Sequence, residues 1–220
     1  MLELDAVTKV YQQGRRTVEA VRGVSLQIQA GEFVVITGPS GSGKSTILHL
    51  LGALDTPTTG RALVRGRDLQ SLTDRERARL RRERIGFVFQ AFNLLPTLTA
   101  DENVALPLLL AGTRRSAALK RANAALHRVG LSERTNHFPE ELSGGEMQRV
   151  AVARALVTEP EAVLCDEPTG NLDSANSREI LALLRELPRA GERCVVMVTH
   201  DPSAAAIGDR LVRIRDGRLE

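Results

Sequence analysis

The chain has 220 residues, 42% hydrophobic and 26% charged, a balance that excludes disordered, collagen-like and low-complexity classes. Its formal charge of +3 is small, and its densest basic run, RERARLRRER at 75–84, interleaves glutamates with arginines, which marks a solvated helix face and argues against a nucleic-acid partner. The apolar stretch VALPLLLAG at 104–112 contains Pro107 and is far shorter than the roughly 20 residues of a bilayer span. The amino-terminal MLELDAVTKV lacks the basic-then-apolar pattern of a secretory signal, so the chain is expected in the cytoplasm.

Two extended runs, LELDAVTKVY at 2–11 and VEAVRGVSLQIQ at 18–29, joined by the polar QQGRR, predict an antiparallel hairpin. EFVVIT at 32–37 is continuously apolar, the pattern of a strand covered on both faces in a parallel sheet. After GPSGSGKST the pattern turns helical to about residue 53, and LDTPTTG breaks it with Pro57 and Gly60. Short strands follow around 61–65, then a charged helix over 73–84 and a strand, IGFVFQ, at 85–90. From 101 to about 158 there is no strand signal. Helices are expected around 102–111 and 116–129 and from 145 onward, the last with Val150, Ala153, Leu156 and Val157 on one apolar face. The remainder alternates: strand 162–166, helix 174–187, strand 194–199, a short helix after Pro202, and two closing strands, RLVRIR and RLE.

Such alternation implies a parallel α/β core. A single domain is expected over 1–220, with an antiparallel β-subdomain at the amino terminus and an α-helical subdomain, roughly 95–158, inserted in the core. Cys165 and Cys194 lie in apolar runs without a second ligand at metal spacing, and read as buried small hydrophobes.

GPSGSGKST, comprising Gly38, Pro39, Ser40, Gly41, Ser42, Gly43, Lys44, Ser45 and Thr46, fits G-x-x-x-x-G-K-[ST] between a predicted buried strand and a predicted helix. In that context glycines let successive backbone N–H groups turn inward onto phosphate oxygens, and the helix amino terminus adds partial positive charge. Lys44 would reach the β- and γ-phosphates, and the Ser45 hydroxyl would bind Mg²⁺. VLCDE at 163–167 delivers two acids at the carboxyl end of a buried strand, the end at which parallel sheets bind ligands. There Asp166 would hold Mg²⁺ through its waters, and Glu167 would act as general base or orient the attacking water. A second cradle, Ser143-Gly144-Gly145 in ELSGGEMQRV, opens a helix far from the first in sequence, and one small domain has no evident need of two.

In order, GPSGSGKST, the Gln90 loop, LSGGEMQR at 142–149, VLCDEPTGNLD at 163–173 and VTHD at 198–201 make the chain resemble the ATP-binding cassette (ABC) ATPases over essentially its whole length. The resemblance implies a P-loop NTPase core with a mostly parallel sheet, and ATP and Mg²⁺ as ligands. It implies that Tyr11, the one tyrosine, stacks on adenine. Gln90 would contact Mg²⁺ or the attacking water and begin the loop that senses a partner. Lys44, Gln90, Glu167 and His200 form the implied catalytic set, with His200 on the γ-phosphate, while His49, His127 and His137 read as structural. Ser143, Gly144, Gly145, Glu146 and Asp173 join the implied nucleotide contacts. Glu146 stands where many relatives have glutamine, and GNLD at 170–173 where SALD is common. Both departures resemble the branch of lipoprotein-release, macrolide-export and antimicrobial-peptide-resistance ATPases.

In this family LSGG caps the nucleotide of a second copy, so the resemblance implies a head-to-tail dimer around two ATPs. It implies a motor peripheral on the inner face of the membrane that drives a separate permease in export or extraction. Phe92, Leu94, Leu95 and Leu98 either form a groove for a permease helix or pack inside the helical lobe. Because the last strand ends at DGRLE, no appended regulatory domain is expected. The alternative is a relative that signals across the membrane to cell-wall enzymes. A DNA-repair machine would need a coiled-coil insertion between Gln90 and Leu142, where no heptad run exists. A small-molecule kinase would have no use for LSGGEMQR.

Overall fold

A computed structural model describes residues 1–14, 16–188 and 193–220. The alternating amino-terminal runs form β1 (Leu2–Gln13) and β2 (Arg16–Ile28), paired antiparallel, with Leu4 opposite Leu26 and Val7 opposite Val24. Leu2 and Leu4 are buried at even positions and Val7 at an odd one. A register shift between Leu4 and Val7, with Ala6 at φ 47°, rephases the strand so that all three meet the core. With β4 (Thr59–Val64) and β5 (Arg67–Asp68), these strands form a four-stranded sheet in the order β2-β1-β4-β5.

The second sheet has the order β10-β9-β3-β8-β7-β6. Its members are β3 (Phe33–Thr37), β6 (Ile85–Phe89), β7 (Ala162–Asp166), β8 (Cys194–Thr199) and β9 (Arg210–Arg215), all parallel, with β10 (Arg218–Leu219) antiparallel at the edge. Every residue of β8 is buried, as the continuous apolar runs require when both faces are covered. One face carries Val34, Ile36, Leu164, Val196 and Val198 and packs on α1 (Lys44–Leu51) and the antiparallel sheet. The other face carries Phe33, Val35, Val163, Cys165, Val195 and Met197. It packs beneath α3 (Ala100–Leu110), α4 (Arg115–Arg128), α5 (Gly144–Leu156) and α6 (Ser174–Glu186). Burial pushes the Cys194 thiol up to about 12 and the Cys165 thiol up as well, so both stay protonated and behave as small hydrophobes.

Helix α2 (Asp74–Arg84) has no buried residue, in keeping with its charges, and a Thr73–Glu76 capping box starts it. The third helix begins at Ala100, earlier than periodicity alone predicts, because the Glu102 carboxylate accepts the Thr99 N–H at 3.2 Å. A short helix, α7 (Pro202–Ala205), follows β8. Among the described residues no helix is long and apolar enough to cross a membrane.

Register sets the site. Thr37 lies opposite Thr199, while Asp166 lies opposite both Val198 and Phe89. The segments that leave the carboxyl ends of β3, β6, β7 and β8, beginning at Gly38, Gln90, Glu167 and His200, therefore emerge along one edge of the sheet.

Candidate nucleotide-binding and hydrolysis site

The loop between β3 and α1 is held by close backbone packing. A Cβ on Gly38 would lie 2.1 Å from the Ile214 carbonyl oxygen, and one on Gly43 would lie 2.3 Å from that of Ala20. Gly43 caps α1 at φ 103°, in the left-handed region open to glycine. No acid in the first turn of α1 offsets its field, so the amino-terminal N–H groups remain an anion site. Pro39, Ser40 and Gly41 form the exposed rim. Lys44, only 8% exposed, donates to the carbonyls of Gly38 (2.8 Å) and Pro39 (2.9 Å). The Ser42 hydroxyl oxygen is buried without a partner among the described residues. A buried ammonium resting on neutral carbonyls beside an orphaned hydroxyl fits a cradle that a phosphate completes.

At the far end of the cradle Ser45 Oγ donates to Asp166 Oδ1 at 3.0 Å, joining α1 to the tip of β7. Burial raises the Asp166 carboxyl above its ordinary value, against the lowering effect of that hydrogen bond. Hydroxyl and carboxylate oxygens side by side suit a hard cation. No cluster of three or more His, Cys, Asp or Glu able to hold a metal exists among the described residues. This donor set fits Mg²⁺, which takes few protein ligands and completes its shell with phosphate and water.

Glu167 adopts φ 47°, a left-handed conformation that costs a non-glycine residue about 1–2 kcal/mol. Its N–H donates to the Val198 carbonyl at 3.0 Å, which anchors the strained residue to β8. Its Oε1 lies 2.9 Å from His200 Nδ1. A carboxylate can only accept, so Nδ1 carries the proton and Nε2 is the outward nitrogen. Tyr11, at the end of β1, donates its hydroxyl to Asp55 Oδ2 at 2.8 Å, and the Lys9 ammonium sits 4.9 Å from its ring centroid. Burial, with the Asp55 hydrogen bond, raises the Tyr11 hydroxyl above its ordinary value.

The second cradle is built differently. Ser143 caps α5 in a reciprocal box: its N–H donates to Glu146 Oε2 (2.8 Å), and the Glu146 N–H donates to Ser143 Oγ (3.3 Å). Gly145 packs on the start of α6, where an added Cβ would lie 2.0 Å from Asn176 Oδ1. Asp173 caps α6 by accepting from the N–H groups of Ala175 (3.0 Å) and Asn176 (2.8 Å). Among the described residues no hydrogen bond joins 143–146 to the loop 38–46. Gln90 contacts the turn ahead of α6: its Nε2 donates to Asn171 Oδ1 at 3.1 Å, and Asn171 Nδ2 donates to the Gln90 carbonyl at 3.0 Å.

Comparison with known proteins gives these motifs their context. The family model described as ABC transporter matches residues 21–170. The chain belongs to the ABC transporter family. It is 51% identical over its full length to an uncharacterized ABC transporter ATP-binding protein of Thermotoga maritima, covering 94% of that protein. It is 49% identical over its full length to the macrolide export ATP-binding/permease protein MacB of Hyphomonas neptunium, but spans only 34% of it. A dimeric ATP-binding cassette, MJ0796, in a post-hydrolysis state with ADP and Pi superposes with a TM-score of 0.93 at 45% identity, covering all of this chain and 97% of that one. The protein is an ATP-hydrolysing cassette of this family.

In this cassette three buried or half-buried polar residues outside the expected contact set hold loops in place, and one of them, Gln148, lies within LSGGEMQR itself. Gln148, fully buried on α5, donates from Nε2 to the carbonyls of Pro168 (2.5 Å) and Phe89 (3.3 Å), thereby bracing the residues next to Glu167 and Gln90. Arg154 donates to the carbonyls of Phe92 (2.7 Å) and Asn93 (2.5 Å), which sit at φ 57° and 51°. Asn103, fully buried, donates to the carbonyls of Leu95, Leu98 and Thr99 and accepts the Leu95 N–H. The one available signal was a polar residue on an apolar helix face: Gly145, Gln148, Val152 and Ala155 share the buried side of α5.

Glu146 also gains a definite role. The Ser143 N–H and hydroxyl, opposed by burial and helped by Arg134 (3.2 Å), hold its carboxyl below the ordinary glutamate value of 4.5. The stabilisation from this lowered pKa is complete above the ordinary value and disappears as pH falls through the folded-state value beneath it. Glu146→Gln keeps an acceptor for the Ser143 N–H but loses the charge, and is expected to cost less than about 1 kcal/mol at neutral pH because the pair is solvent-screened. Urea unfolding should show the two proteins converging in stability once the solution is more acidic than the ordinary glutamate value.

Proposed function

We propose that two copies of the cassette close head to tail around two Mg-ATP, and that this closure drives a separate membrane permease from the cytoplasmic face, in export or extraction from the membrane. The observation that carries this reading is that Ser143 is capped within its own helix and Gly145 packs on α6 of the same chain, while among the described residues 143–145 make no hydrogen bond to their own phosphate loop. Each chain thus presents two half-sites that it does not itself join, and a two-fold pair satisfies both.

In this reading Tyr11 stacks on adenine, and the loop 38–46 and Lys44 take the phosphates. Ser45, Asp166 and Gln90 would hold Mg²⁺, which when bound neutralises charge on the β- and γ-phosphates. Glu167 takes a proton from, or orients, the attacking water, while His200 holds the carboxylate at Nδ1 and reaches the γ-phosphate. With Nδ1–H committed to Glu167, a hydrogen bond from Nε2 to phosphate requires the imidazolium; otherwise Nδ1 must leave the carboxylate. Ser143, Gly144 and Gly145 of the facing copy cap the γ-phosphate, and Asp173 orders the turn beside them. Hydrolysis removes the shared charge and releases the pair.

A cleft of about 490 Å³ between α2, β6, α3 and α5 has an apolar floor of Ile85, Phe87, Phe89, Leu106 and Pro107 and includes Arg81, Arg82 and Arg154, with no carboxylate among the described residues that line it. It supports docking of a short amphipathic permease helix that carries an acid. Of the groove residues expected from sequence, Phe92, Leu94, Leu95 and Leu98, none lines this cleft. Leu94 packs on the core, whereas Leu95 is 44% exposed. Arg82→Glu is expected to weaken association with the permease by ~10-fold or more, read by co-purification from solubilised membranes. Identification of the co-purified membrane protein tests the proposed function. A four-span permease with a large extracytoplasmic domain supports it, whereas a multi-span importer paired with a binding protein, or no membrane partner, defeats it.

A further inference from the structure

We infer that Asn171, with Gly170 beside it, is a positioning residue that sets which way the Gln90 amide faces, presenting its oxygen to the metal. This rests on the reading that Gln90 reaches Mg²⁺. A glutamine amide is nearly symmetric in shape and opposite in function at its two ends: the oxygen binds a cation and the NH₂ group repels it. An unrestrained Gln90 would sample both orientations.

The hydrogen bonds remove that choice in two steps. The Gln90 backbone carbonyl can only accept, so Asn171 must turn Nδ2 toward it, at 3.0 Å. That leaves Asn171 Oδ1 facing the Gln90 side chain, and an amide oxygen also only accepts, so Gln90 must present Nε2, at 3.1 Å. Gln90 Oε1 is thereby left free of Asn171 to serve as a cation ligand. The Gln90 main-chain carbonyl has no alternative protonation or flip, so the orientation of both amides is fixed from it.

Space is provided by the preceding residue. A Cβ at position 170 would lie 2.7 Å from Gln90 Nε2 and 3.0 Å from its Cδ. The turn is fixed by Gly170 N–H donating to the Glu167 carbonyl (3.0 Å) and Leu172 N–H to that of Thr169 (3.1 Å). Gly170, Asn171 and Gln90 therefore form one matched set, which gives the GN of GNLD a physical reason.

The test uses the full chain carrying Glu167→Gln, which arrests hydrolysis, with saturating ATP. Bound Mn²⁺ is measured by electron paramagnetic resonance as a stand-in for Mg²⁺. Gln90→Ala should weaken Mn²⁺ binding, which checks the underlying reading separately. Asn171→Ala should weaken it about fivefold, the equivalent of one net hydrogen bond. Asn171→Asp, though isosteric, should do at least as much, since it places an oxygen against the Gln90 carbonyl. In a Gln90→Glu background, whose two carboxylate oxygens are equivalent, Asn171→Ala should have no further effect. If Gln90→Ala weakens Mn²⁺ binding and Asn171→Ala does not, or if Asn171→Ala acts equally in the Gln90→Glu background, the inference is overturned while the role of Gln90 stands. If Gln90→Ala leaves Mn²⁺ binding unchanged, the metal reading of Gln90 falls and the inference with it.

Discussion

Glu167→Gln is expected to bind ATP, to hydrolyse it at least ~10³-fold more slowly, and to elute as a dimer by size exclusion in saturating ATP. The substitution keeps the shape of a residue held at φ 47° and tied to β8 through the Val198 carbonyl. Gln also retains an acceptor for the His200 ring, which lies 2.9 Å from Oε1. What it loses is the ability to take a proton. ATP then persists between the half-sites, and binding linkage favours the closed pair. A monomeric elution profile under these conditions would remove the dimer from the proposed mechanism. Turnover near the unmodified rate would remove Glu167 from the chemistry.

Replacing Ser143 with phenylalanine is expected to leave ATP binding by the monomer unchanged, while ATP-driven dimerisation and turnover are lost. Among the described residues the phosphate loop and Ser143 share no hydrogen bond, so the monomer's affinity for ATP should not depend on this side chain. Loss of the Ser143 cap on α5 costs about 1 kcal/mol, well short of unfolding a domain of this size. The added ring fills the surface that must meet a γ-phosphate on the facing copy. Placing the substitution in the Glu167→Gln chain gives a direct contrast, because that protein should revert from dimer to monomer. If monomer binding of nucleotide falls instead, the second cradle belongs to the chain's own site.

Local patterns were enough to place the elements around this site. Residues 33–36 are continuously apolar because β3 is covered on both faces, and the apolar stretches within 162–166 and 194–199 match β7 and β8 for the same reason. Boundaries drifted by one or two residues, as at Thr99, where Glu102 starts the helix early. The phosphate loop was readable because its glycines, lysine and serine are contiguous. The Gln148, Asn103 and Arg154 contacts were not, because each joins a helix to main-chain carbonyls, and a polar residue on a helix face does not name its partner. For the apolar residues Phe92, Leu94, Leu95 and Leu98 the sequence left groove and lobe interior both open, and the fold separates them: Leu94 packs on the core while Leu95 is 44% exposed.

Composition, periodicity and five ordered motifs therefore settled the α/β class and the family, since each depends on residues that act as near neighbours in the chain. The pairing of Glu167 with His200, of Gln90 with Asn171, and of Ser45 with Asp166 depended on the order β3-β8-β7-β6, which brings segments 33, 81 and 121 residues apart to one edge. Strand order arises from long-range packing of two covered faces, and short-range hydrophobic pattern carries no record of which buried strand lies beside which.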